Sequence, residues 1–88
     1  MFQGLWVRAA TDELADLWGQ ADSALRQAIT AASNSIDQLL RIDPQNQGEA
    51  RDAGERVMFI LPLGVQFDIL PAALLVRVLH VWDCRPRP

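Results

Sequence analysis

The hydrophobic pattern of this 88-residue chain changes period once, across the polar stretch at residues 45–54, and that change divides it into a helical half and a β half. In the first half Leu25, Ile29, Ala32, Ile36, Leu39 and Leu40 recur at helical spacing. They predict a helix from near Asp22 to about Asp43, stopped by Pro44. Leu14, Leu17 and Trp18 mark one face of a shorter helix ending at Gly19. Thr11 is its expected N-cap, with Asp12 and Glu13 in the first turn, where the helix dipole favours negative charge. The short gap at residues 19–21 makes the pair an antiparallel hairpin. Upstream, residues 2–8 fit a short strand with Leu5 and Val7 on one side and Trp6 on the other.

The second half holds three short apolar runs cut by turn signals at residues 62–64 and 71–73, the pattern of an antiparallel meander. Strands are expected near 56–61, 65–70 and 74–82. The middle run, Val65-Gln-Phe-Asp-Ile, alternates with period two, so one face should be buried and the other wetter. The last run is apolar at both parities, which suggests a central strand, and Arg77 and His80 interrupt it. Residues 45–54 carry two glycines and no apolar period, as a connecting loop does, and the tail 85–88 should be frayed. The expected core draws on Leu14, Trp18, Leu25, Ile29, Ile36, Leu40, Phe59, Val65, Phe67, Val78 and Val81. The fold class that follows is α+β in one domain, residues 1–88, with a helical hairpin packed on a small curved antiparallel sheet.

Charge and cysteine content narrow the setting. The net charge is −3, all eight basic residues are arginine, and the acidic residues crowd the helical half; this argues against a generic nucleic-acid binder. The arginines from Arg51 onward (Arg51, Arg56, Arg77, Arg85 and Arg87) still leave room for an anion near the sheet. A lone cysteine, Cys84, cannot form an internal disulfide and points to a reducing, cytoplasmic setting. No apolar run reaches the length of a membrane span, and the first residues lack the pattern of a signal peptide. Apolar content in so small a chain, with two sheet edges, leads us to expect a partner or a homodimer.

With those elements in place the chain resembles the RelE/ParE superfamily of toxins from type II toxin–antitoxin systems, sometimes labelled plasmid stabilisation proteins. The resemblance is carried by the hairpin closing in Ile36-Asp-Gln-Leu-Leu-Arg-Ile-Asp-Pro44, the Gly48-Glu-Ala-Arg51 loop, Glu55-Arg-Val-Met-Phe, Gly64-Val-Gln-Phe-Asp-Ile and the closing Val76-Arg-Val-Leu-His-Val-Trp82. It implies a ribosome-dependent mRNA endonuclease or an inhibitor of DNA gyrase, wrapped and neutralised by a cognate antitoxin. It also implies departures. RNA-cleaving members usually carry an arginine where this chain has Gly64, and a histidine or tyrosine with a basic residue near Asp83 and Cys84. The alternative is a catalytically silent module that keeps the fold and binds a partner peptide or itself.

Cleaving RNA through its own 2′-hydroxyl needs a base, an acid and cationic donors for the phosphorane charge. Glu49 and His80 supply the acid–base types, and Arg51, Arg56 and Arg85 the cations. The candidate catalytic set is therefore Glu49, Arg51, Arg56 and His80, with the first three placed to enclose one phosphate. The ordinary reading of that trio is a set of loop ion pairs, and of His80 a hydrogen-bonded residue in an apolar row with Val76, Val78 and Trp82. No cofactor is expected, since there is no nucleotide fingerprint or phosphate loop, and one histidine with one cysteine cannot make a metal site. Trp6, Trp18 and Trp82 read as core or interface residues.

Overall fold

A computed structural model describes residues 1–85. The chain runs β1 (Gln3–Trp6), α1 (Arg8–Gln20), α2 (Ser23–Ile42), β2 (Glu49–Ala50), β3 (Glu55–Ile60), β4 (Leu63–Leu70) and β5 (Leu75–Asp83). The strands form one sheet in the order β1-β5-β4-β3-β2. The expected α+β class and the meander are observed, and the sheet is mixed rather than wholly antiparallel. The segment at residues 2–8 supplies β1, which lies parallel to β5 from Gln3 opposite Leu75 to Trp6 opposite Val78. The polar loop supplies β2, two residues long and antiparallel to β3.

Helix α1 starts three residues before the expected cap. Val7 is the N-cap and Thr11 lies inside the helix, its hydroxyl donating to the Arg8 carbonyl at 2.9 Å. The reason is that Val7 leaves β1 in extended geometry, its N–H donating to Val78 on β5 while its carbonyl accepts from the Thr11 N–H. Asp22 caps α2 as the sequence suggests, accepting from the Leu25 N–H at 2.8 Å.

Ile29, Ala32, Ile36 and Leu40 form the buried stripe of α2 and lie against Met58, Leu63, Val65, Phe67, Val76, Val78 and Val81 of the sheet. Leu14 and Leu25 sit at the margin of this core. Trp18 and Phe59, expected within it, are 45% and 56% exposed. Trp18 lies outside the packed face of α1, and the Arg26 guanidinium stacks 4.2 Å from its ring centre. Phe59 takes the outward parity of β3 because its neighbour Met58 takes the inward one.

The parity of β5 also departs from expectation. Phe67 pairs with Val78 but the adjacent Gln66 pairs with His80, so Leu79 is the extra residue of a β-bulge. The bulge reverses the alternation: Val76, Val78 and Val81 face the core, while His80 is exposed rather than embedded in an apolar row. Of the expected tail, Arg85 holds Asp83 through its guanidinium, and residues 86–88 lie outside the described residues. Among the described residues no helix is long and apolar enough to cross a membrane.

Candidate functional site

The loop between α2 and β3 is built by backbone constraints. Gly48 has φ +67°, and a Cβ there would lie 2.3 Å from the Val57 carbonyl oxygen, so only glycine lets the loop approach β3 this closely. Arg56 then clamps it, Nε donating to the Gln47 carbonyl at 2.9 Å and Nη2 to the Gly48 carbonyl at 3.1 Å. The Arg51 N–H closes the far side on the Glu55 carbonyl at 2.7 Å. The fork of Arg56, proposed from sequence as a phosphate donor, is thus committed to two backbone carbonyls. Arg56→Ala is expected to loosen residues 47–51 and to lower stability by about 1.5 kcal/mol, the low end for hydrogen bonds to a charged group because one of the two is exposed. Faster amide exchange at Arg51 checks it; unchanged exchange would show that Arg56 does not hold the loop.

Glu49 and Arg51 do meet, Oε2 to Nη1 at 3.0 Å, as an exposed ion pair. Such pairs contribute about 0–1 kcal/mol. Register places the remaining candidate far from them: Glu49 lies opposite Val57, Val57 opposite Gln66, and Gln66 opposite His80. Three strand spacings separate Glu49 from His80, about 14 Å. The two acid–base candidates share a row but not a reacting atom. Arg56, adjacent in sequence to Val57, turns toward the opposite face of the sheet.

His80 has a local task. Its Nδ1 lies 3.3 Å from Oε1 of Glu13 on α1, and the same oxygen accepts from the Val81 N–H at 3.1 Å. Glu13 therefore plugs the edge of β5 where β1 has ended, an edge otherwise open to pairing.

The sheet face opposite the helices carries three parallel rows. Phe59, Gly64 and Trp82 form an apolar row; Val57, Gln66 and His80 the next; Glu55, Asp68 and Arg77 the third. At Gly64 a Cβ would meet indole atoms of Trp82 at 2.6 Å, so the ring lies flush on the glycine backbone. Phe59 meets Trp82 edge-on, with centroids 6.1 Å apart and an interplanar angle of 80°. In the third row Arg77 grips Asp68 through both Nε and Nη2, and that hydrogen bond, with the carboxylate charge, pushes Arg77 still further above its ordinary pKa. Burial and the neighbouring Asp83 carboxylate push the Cys84 thiol up, away from the reactive thiolate. Among the described residues no group of three His, Cys, Asp or Glu is placed to hold a metal ion.

The sequence did not reveal the Gly64–Trp82 contact or the role of Glu13. The available signal for the first was a glycine at the start of an alternating strand, which marks a close approach of another group.

This architecture, two helices on one face of a small mixed sheet whose last three strands form a meander, defines a class of compact α+β domains. Solved structures of toxin–antitoxin proteins match it, and the chain has the RelE/ParE fold. A chain of the chromosomal ParDE toxin–antitoxin system of P. aeruginosa superimposes with a TM-score of 0.77 at 15% identity, over 97% of this chain and 98% of that one. A chain of the RelBE2 toxin–antitoxin complex of Mycobacterium tuberculosis gives 0.71 at 14% identity, over 93% and 90%. The isolated E. coli RelE toxin gives 0.66 at 11% identity, over 99% and 88%. No family model and no curated protein matches the chain. Identities of this size speak to the fold, and the function has to be argued from the site.

Proposed function

We propose that the chain is the toxin-type member of a toxin–antitoxin pair, neutralised by a cognate antitoxin in the cytoplasm, and that it acts by binding its target rather than by cutting RNA. The observation that carries this reading is the Trp82 ring lying on Gly64. The RNA-cleaving proteins the sequence resembles usually carry an arginine at that position, and here the indole fills the volume its side chain would need. Two further placements support it. Arg56 is committed to carbonyls, and Glu49 and His80 stand too far apart to serve one phosphodiester. Likeness to toxin–antitoxin structures over nearly the whole length of both chains supports the pairing with an antitoxin. DNA gyrase is the target that the non-cleaving branch offers.

A silent interaction module is the second reading, favoured by one observation: Arg51 and Arg77 on the outer face are each neutralised by a carboxylate, which leaves little free positive charge for any nucleic acid. Two assays on the purified chain separate the readings. Primer extension on translated mRNA is expected to show no new cleavage, and supercoiling by gyrase is expected to be inhibited. Cleavage that disappears in Arg56→Ala would overturn the binding reading, and inertness in both assays would leave the module.

A further inference from the structure

The outer face of the sheet combines exposed aromatic surface with uncompensated negative charge. Phe59 is 56% exposed and Leu61, at the adjoining turn, 63%. Beyond Val57 on the same face a shallow groove is lined by Ala50, Arg51, Asp52, Glu55, Val57 and Gln66. Around it stand the carboxylates of Glu49, Asp52, Glu55 and Asp68 and the guanidiniums of Arg51 and Arg77. Arg51 is paired with Glu49 and Arg77 with Asp68, so Glu55 and Asp52 have no cationic partner among the described residues. The Gln66 amide donates to Glu55 and holds its carboxylate over the groove.

We propose that this face docks an extended segment of a partner polypeptide, with an apolar side chain over Phe59 and Trp82 and an arginine or lysine on Glu55. The spacing is fixed by β3. Phe59 and Glu55 are four residues apart on one face, about 14 Å, so an extended segment meets both with side chains at positions i and i+4. Charge selects the occupant: a phosphate backbone meets unpaired carboxylates here, and a second copy of this chain would bring acidic face against acidic face. The segment's identity as part of the antitoxin rests on the proposed function, whereas its chemistry rests on this face alone.

The test is an NMR titration of the full chain with two synthetic eleven-residue peptides, one with leucine and arginine four positions apart on a serine–threonine background, the other with glutamate in place of the arginine. The arginine peptide is expected to shift amides at residues 55–59, 64–68 and 80–82 and to bind about tenfold more tightly than the glutamate peptide, with Glu55→Arg reversing that preference and Glu55→Gln abolishing it. Equal affinities, shifts confined to the helices, or self-association removed by Phe59→Ser would each overturn the proposal. The product of an adjacent reading frame, titrated the same way, separates the two claims. Its binding on the helices alone would remove this docking surface and leave the toxin–antitoxin pairing standing. Its failure to bind while the arginine preference holds would do the reverse.

Discussion

Phe67→Ala is expected to cost about 3–5 kcal/mol, the usual range for removing a fully buried phenylalanine. Phe67 is 0% exposed in the middle of β4, between Arg56 on β3 and Val78 on β5, and is among the largest fully buried side chains of the core. At about 0.05–0.15 kcal/mol per residue, a domain of this length has about 4–13 kcal/mol of stability in total. The variant should therefore lose between about a quarter and all of that stability. Urea denaturation checks it: the midpoint should fall with an unchanged slope, and a loss below about 1 kcal/mol would mean that β4 does not face the core as described.

Gly48→Ala is the second large effect, and Gly54→Ala is its built-in comparison. Both glycines have positive φ, +67° and +74°, so each substitution carries about 1–2 kcal/mol for the left-handed conformation. At Gly54 nothing lies within 4 Å of the new Cβ. At Gly48 the Cβ would meet the Val57 carbonyl oxygen at 2.3 Å and its carbon at 2.9 Å, backbone atoms of a paired strand that cannot give way. The loop must instead leave β3, and Arg56 then loses both carbonyl partners. Gly48→Ala should cost at least about twice as much as Gly54→Ala, with amide protection lost at residues 49–51 in the first variant only. Equal costs would mean that the loop does not lie against β3.

Helical faces and meander strands were legible because burial on one side writes a period of 3.6 or 2 into the chain, as Ile29, Ile36 and Leu40 or Val65 and Phe67 show. What was illegible depends on contacts between distant segments. The pairing of β1 with β5 leaves no mark in residues 3–6, since parallel partners are chosen by the whole fold. The bulge at Leu79 inverted the reading of His80, because one extra residue reverses every later side chain of a strand. Trp18 and Phe59 were assigned to the core by hydrophobicity alone, and large aromatics also serve exposed surfaces. In the candidate site Glu49 and Arg51, two residues apart in the chain, do meet as an ion pair. The sequence could not show that Arg56 is occupied by carbonyls, that His80 sits beside Glu13 from 67 residues earlier, or that an indole covers Gly64.

The proposed pairing of a target-binding toxin with an antitoxin is tested most directly by growth. Cells would express this chain from an inducible promoter, alone and together with the product of an adjacent reading frame. Arrest on induction of the chain alone, relieved by co-expression, is the expected result. Undiminished growth at a protein level that folds, or arrest that co-expression does not relieve, would contradict it.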